Sequence, residues 1–521
     1  MATVIQALLC AIYTIVAYQD ALMHVSHFYV PTIAGVITGA IMGDVGAGLV
    51  IGGTCELIFI GIYPVGGARP PEPTVGTIIG TALAIETGLG IELALPIAVP
   101  IAVLGAQVFT LVLTASVVFI HAADRYNAEG KFKSAYLMHL IAGPLLISGG
   151  MALLVFAGVW LGAGPVSAFN DWVAANVPWL WGALGVGAGC MVPVGLAALL
   201  RIYWNMRFIP FFLLGFTLAA VMGVGIVPIA LIGGAVGLIF YVYVKLTPET
   251  QTDGGTEKRG EKKLTSSDVF GAFMRHHLLQ NSWCFERMQA LGYYYAIMPV
   301  VEKFYSKKEA IERGKMHLEF YNTHPSASAL ILGIDLALEE QGQPIDVIRS
   351  MKNGLIGPMA GIGDSLLGFA ARAIIVSIGA SLALAGSLIG PLFILVVTVI
   401  LFMGVKWVLT TQGYKMGLGV IDEMRRGGVE KVTTAIGILG SMAIGTILAT
   451  WVAITTPLKY VVGGVELVSL QKVLDGILPK MLPLFTLILA ITALRRGLTL
   501  TKTMLLFFLV GALLAAVGIL G

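Results

Sequence analysis

The stretch GGTCELIFIGIYPVGGARPPEP, Gly52 to Pro73, sets a carboxylate, Glu56, inside an apolar run and then breaks that run at glycine and proline before any polar loop begins. In lipid both features are costly. The charge needs a solvating partner, and the broken backbone needs hydrogen bonds that its own helix no longer supplies. A cavity or a ligand provides such partners. A second stretch, GPMAGIGDSLLG from Gly357 to Gly368, repeats the pattern with Asp364 in the other half of the chain. Two interrupted apolar segments, one per half, are the pattern of a transporter with a site near mid-membrane.

Of the 521 residues, 57% are hydrophobic and 12% charged, and the mean hydropathy is +0.90. Soluble domains carry about 25% charged residues. The expected fold is therefore an all-α polytopic membrane protein, built as two bundles with broken or re-entrant helices. A net charge of +3, with no basic stripe interleaved with aromatics, argues against nucleic acid as a partner. Cys10, Cys55, Cys190 and Cys284 are scattered, without a CxxC or a nearby His at ligand spacing, so neither a disulfide framework nor a metal site is expected. The N-terminus has no basic region before its first apolar run and reads as a membrane helix, not a cleaved signal.

Apolar runs cover about 3–19, 29–43, 45–56, 75–94, 97–120, 138–163, 178–200, 208–225 and 226–244. Several fall short of the ~20 residues of a full crossing, which predicts half-helices or re-entrant hairpins. The loops holding Arg125, Lys131 and Lys133, then Arg201 and Arg207, then Lys245 to Lys263, fall on one side, expected to be cytoplasmic. The polar segment from Pro248 to Lys263 divides the chain into a first membrane domain (1–246), a flexible cytoplasmic linker (247–263) and a second domain (264–521). Thr265 to Asp268 offer N-caps for a helix beginning near Val269. From there to about residue 353 the chain is too polar to span repeatedly, and its helices are expected at the interface or packed inside the protein. Apolar runs resume at 354–378, 380–405, 433–457, 474–494 and 503–520, which leaves the C-terminus outside.

GGTCELIFIG, HAADRYNAEGKF and MRFIPFFLLGF in the first half resemble the IIC component of the mannose–fructose–sorbose family of the bacterial sugar phosphotransferase system. KKLTSSDVFGAFMRHHLLQNSWCFERMQALGYYYAIMP, HLEFYNTHP, LALEEQ, GLIGPMAGIGD and GSLIGPL in the second half resemble its IID component. The resemblance implies a fused IIC–IID permease in the bacterial inner membrane, assembled as a homotrimer. It implies a hexose or hexose derivative of the mannose, fructose, sorbose or amino-sugar class as substrate. It also implies that soluble IIB, phosphorylated through IIA from phosphoenolpyruvate, docks on the cytoplasmic face and phosphorylates the arriving sugar. No segment here resembles IIA or IIB, so no phospho-acceptor and no bound cofactor is expected.

Glu56 leads the candidate sugar contacts, since an ionised carboxylate takes strong hydrogen bonds from hydroxyls; pairing with Arg69 is the alternative. Val65, Gly66 and Gly67 follow as a bend whose backbone a ligand can approach closely. Trp283 offers an apolar face for a pyranose and Gln289 a hydrogen-bonding amide, while Glu286 and Arg287 suit ion pairs. Asn322 and His324 in YNTHP, and Asp364, complete the main set; Asp364 is read as either a sugar contact or a partner of Arg372. Asp20, His24, His27, Asp44 and Arg69 stand behind them, with Asp44 equally suited to cap a helix. Arg69 beside a sugar would favour an acidic or acetylated one.

Two other functions fit parts of the chain. An ion-coupled secondary sugar transporter would use Glu56 and Asp364 to bind protons or sodium. The GxGD at Gly361 to Asp364 is also a motif of intramembrane aspartyl proteases, but no Pro-Ala-Leu follows and Asp335 lies in a segment too polar to span.

Overall fold

A computed structural model describes residues 2–59, 71–88, 91–162, 207–243, 263–423, 429–462, 465–498 and 500–521, with scattered positions between 172 and 200. Val65, Gly66, Gly67, Arg69 and the linker up to residue 262 lie outside the described residues. The first apolar run forms α1 (Val4–Met23), opened by a capping box between Thr3 and Gln6. Next come α2 (Pro31–Met42), with proline at its first position where no N–H is needed, and α3 (Val45–Phe59). At 12 and 15 residues they are about 18 and 22 Å long, short of the ~30 Å hydrocarbon core. They fold back on each other as a hairpin. Gly35 and Gly39 of α2 lie against Gly48 and Gly52 of α3, and a Cβ on Gly35 would sit 2.4 Å from the Gly48 carbonyl oxygen. Four-residue spacing of glycine on both helices brings the backbones into contact.

The first half continues with α4 (Pro73–Thr87), α5 (Ile91–Ala115), α6 (Val117–Ala128), α7 (Phe132–Ile141), a π-helical turn at Ala142–Ser148, α8 (Gly149–Leu161), α9 (Ile209–Ala220) and α10 (Ile226–Tyr243). The second half opens with α11 (Ser266–His276), which begins three residues before the expected Val269 and takes its cap from the expected stretch, Thr265 and Asp268 capping reciprocally. Then come α12 (Ala290–Phe304), α13 (Lys307–His317), α14 (Ser328–Glu340), α15 (Ile345–Ile362), α16 (Arg372–Leu384), α17 (Ile389–Glu423) and α18 (Val429–Trp451). Among the described residues, four stretches are long and apolar enough to cross a membrane: Val4–Met23, Ile101–Ala128, Phe132–Leu161 and Ile389–Leu418. The chain is a nearly all-helical, multi-pass membrane protein. Segment 269–353 is largely packed inside: α14 is buried on most sides, with Gly333 against the Thr410 carbonyl and Gly417 of α17 against Ala337.

Two elements differ from the sequence reading. The chain does not leave helical geometry between Gly357 and Gly368: α15 widens into a π-helical segment, Gly363–Ala371, which leads directly into α16. Backbone groups there are satisfied by a longer-range helical bond, not by a cavity. Such π segments gather at functional sites. A β-hairpin, β1 (Lys459–Val462) with β2 (Val465–Ser469), precedes α19 (Leu470–Ile477), α20 (Met481–Arg495) and α21 (Leu500–Ala516). Its alternating residues flank Gly463 and Gly464, a hairpin signal.

The halves interlock. The α2–α3 hairpin packs on α16 and α17 through Val30, Ile33, Ile375, Val376 and Ile394. Glycines 215 and 445 let α9 lie directly on α18. A third contact joins the start of α6 and α7 to segment 281–289.

Candidate functional site

The site is built where the end of α1, the α2–α3 hairpin and the π segment converge. Asp20 near the end of α1 accepts the Ser26 N–H (3.0 Å), the Ser26 hydroxyl (2.5 Å) and the Phe28 N–H (2.6 Å), and so folds the loop 24–30. The Tyr13 and Thr74 hydroxyls donate to the Phe28 and Tyr29 carbonyls, both at 2.8 Å. From the second half, Thr398 donates to the Ser26 carbonyl (2.8 Å) and Lys406 to the Met23 carbonyl (2.9 Å), one of those left open at the end of α1. So fixed, the loop holds two non-glycine residues in left-handed conformations, His24 (φ 55°) and His27 (φ 54°). Strain of this kind collects at binding sites.

Glu56 is buried on α3, and its Oε2 accepts the Thr32 N–H (3.1 Å) and hydroxyl (3.3 Å) at the start of α2. A carboxylate is favoured there, where helix N–H groups lack partners and the dipole is positive. Oε1 lies 3.7 Å from Nη2 of Arg372, at the start of α16. Arg372 therefore pairs across the halves with Glu56, not with Asp364 eight residues before it. Asp364 makes no hydrogen bond or ion pair among the described residues, and Asp335 instead accepts the Tyr293 hydroxyl (2.6 Å).

Three imidazoles close the site. His24 packs edge-on against His27 (ring centroids 5.6 Å) and His324 (5.5 Å), with Phe402 of α17 against the first two. All three are buried, yet among the described residues His24 Nε2, both ring nitrogens of His27 and His324 Nε2 have no hydrogen-bond partner. A buried polar atom left so costs about 1–3 kcal/mol, a cost that a hydroxyl-bearing ligand offsets. Among the described residues, no group of three or more His, Cys, Asp and Glu is arranged to hold a metal ion.

Other candidates lie elsewhere. Asp44 is exposed and caps α3, its Oδ1 accepting the Ala47 N–H (2.8 Å). Trp283 packs edge-on against Phe285 (4.9 Å), in the segment that clasps the first half. In that clasp the Ser116 hydroxyl donates to the Trp283 carbonyl (2.7 Å), His139 bonds Ser282 (2.6 Å), and Asn281 donates to the His139 carbonyl (2.8 Å). His121 meets Glu286 at 2.9 Å and Arg287 meets Asp124 at 2.7 Å. Gln289 spends its amide on the backbone of Thr323. Asn322, half-buried beside His324, makes no hydrogen bond among the described residues. The sequence places His24 with Asp20 and His27 as a minor candidate; Arg372 and Lys406 are not singled out by it as binding residues, because their partners Glu56 and Met23 lie hundreds of positions away.

Residues 263–520 match the family model described as PTS system mannose/fructose/sorbose family IID component, and residues 4–239 match that of PTS system sorbose-specific IIC component. The chain is 35% identical over 281 residues to the PTS system mannose-specific EIID component of Escherichia coli (strain K12), covering 51% of this chain and 98% of that protein. It is 27% identical over 265 residues to N-acetylgalactosamine permease IIC component 1 of the same strain, covering 51% of this chain and 98% of that protein. A solved structure of the mannose transporter ManYZ in complex with microcin E492 matches half of the chain at 34% identity, with a TM-score of 0.46, and is covered in full. The chain belongs to the mannose/fructose/sorbose family of phosphotransferase-system sugar permeases, and carries a IIC component and a IID component in one polypeptide.

Proposed function

We propose that this chain carries an uncharged hexose or hexose derivative through a site formed by Glu56, Arg372, His24, His27 and His324. The observation that carries the reading is the set of four imidazole nitrogens without partners among the described residues, with Arg372 of the Glu56–Arg372 pair near enough to act electrostatically on His24 and His27. A sugar presents many hydroxyls that both donate and accept, and so satisfies a carboxylate and neutral imidazoles together. Because Arg372 matches the charge of Glu56, a neutral ligand fits without adding an unpaired charge. Val65, Gly66, Gly67, Asn322 and Asp364 are secondary contacts in this reading. The sugar then passes to a phosphorylated IIB docked on the cytoplasmic side, with IIA behind it. The permease works as a homotrimer in the bacterial inner membrane, with its linker inside and its C-terminus outside, one bundle moving against the other.

Uptake of labelled hexoses into vesicles bearing the chain, with and without phosphorylated IIB and IIA, tests this. Sugar phosphate should accumulate only with the partners and be lost in Glu56→Gln. Free sugar accumulating without partners, under an imposed ion gradient, would overturn the reading in favour of an ion-coupled transporter.

A further inference from the structure

We infer that Gln289 is a positioning residue that sets His324 in the binding site, with Gly363 as the opposing wall; this rests on the site proposed above. Gln289 is buried, and its carboxamide grips the backbone of one residue on both sides: Nε2 donates to the Thr323 carbonyl (2.8 Å) and Oε1 accepts the Thr323 N–H (3.0 Å). Its backbone N–H donates to the Tyr321 carbonyl (2.8 Å), and the Tyr321 N–H to the Arg287 carbonyl (3.3 Å). Residues 321–323 are thus laid along 287–289 like a short strand. Tyr321 anchors one end, its hydroxyl on Ser328 (2.6 Å) and its ring stacked on Tyr293 (4.2 Å). His324 leaves the other end. Its Nδ1 accepts the Ser326 N–H (3.2 Å), so the nitrogen left for a ligand is Nε2. On the far side, a Cβ on Gly363 would lie 2.3 Å from His324 Cβ. The π segment therefore touches the imidazole's own stem, and no side chain fits between.

Segment 281–289 clasps the first half at its beginning and grips the histidine loop at its end. Gln289 thus acts on the sugar through His324, and its two polar atoms are already committed to Thr323.

The test is a double-mutant cycle on sugar affinity in the full chain, using Gln289→Leu, the isosteric Gln289→Glu and His324→Ala. Deuterium exchange of residues 320–327 is measured alongside. Each Gln289 variant should weaken binding about tenfold while the rate at saturating sugar holds, and should speed exchange at Thr323. In the His324→Ala background the same substitutions should cost no further affinity. An equal loss in both backgrounds would overturn the inference and make Gln289 a direct contact or a general stabiliser. Unchanged exchange would overturn it as well. If the wild-type chain binds none of the hexoses, the site reading fails by itself, and the exchange comparison still decides whether Gln289 holds the loop. Gly363→Ala should act in the same direction by displacing His324.

Discussion

Where α6 and α7 meet segment 281–289, polar side chains of one half end on groups of the other: Ser116 on Trp283, His121 on Glu286, Asp124 on Arg287, Asn127 on Ile311. Where the α1 end and the α2–α3 hairpin meet the π segment, three imidazoles are equally buried and four of their nitrogens meet no hydrogen-bond partner among the described residues. Both regions are polar and both join the halves. The first spends most of its hydrogen bonds on assembly, leaving single atoms such as His139 Nε2 and Asn281 Oδ1 open among the described residues. The second keeps its own hydrogen bonds in reserve, at an energetic cost, and in the function proposed above a ligand fills that reserve.

The largest expected break in this contrast is at Glu56. Glu56→Gln leaves a guanidinium opposite a neutral amide and should cost about 3–5 kcal/mol in thermal unfolding of the purified protein. Adding Arg372→Gln should recover most of that stability while sugar affinity stays about 100-fold down. Recovery of both would make the pair purely structural. In the clasp, buried Asn127 donates to the Ile311 carbonyl (3.0 Å) and accepts the Tyr294 hydroxyl (3.0 Å). Asn127→Ala should lose about 1–3 kcal/mol and leave sugar affinity unchanged. At the site the signs reverse. His27→Phe removes two nitrogens without partners among the described residues, so the unfolding temperature should hold or rise while affinity drops about tenfold. A fall in stability matching the fall in affinity would erase the distinction between the two regions.

The smallest effect lies outside the membrane. Asp268 caps α11; burial pushes its carboxyl up, but the Lys303 ammonium and the Thr265 hydroxyl and N–H outweigh this and hold it at about 2, below the ordinary 3.8. A depressed carboxyl stabilises the fold above its unfolded value and loses that contribution as pH falls. The advantage of wild type over Asp268→Asn should therefore be full above about pH 4, stay below about 1 kcal/mol, and fade towards pH 2. A constant difference across that range, followed by circular dichroism in detergent, would contradict it.

Much of this was legible in the sequence. Glu56 in an apolar run announced a buried carboxylate, Thr265 to Asp268 announced a capped helix, and the short runs 29–43 and 45–56 became the α2–α3 hairpin. The partners were harder to see. Arg372 follows Asp364 by two turns, which invited a local pair, yet its guanidinium faces α3 of the other half. Segment 281–289 has the residue types of a sugar site and uses them largely for assembly, because hydrogen-bonding chemistry is the same whether its partner is a sugar or a peptide group. The histidine cluster unites positions 24, 27 and 324, and no local periodicity spans such a distance.

The 35 residues of α17 make a rod about 52 Å long, well beyond the hydrocarbon thickness. Its apolar span ends at Leu418, and α14 lies along the stretch from Thr410 to Gly417. The same rod carries Thr398 and Lys406, which hold the histidine loop. It is mechanically a mast stepped in the proposed binding site. A tilt of about 10° about its middle would swing its tip by about 4–5 Å. Lys406 sits at the midpoint of the rod, so a small tilt there can arrive at the far end as a displacement large enough for another protein to feel.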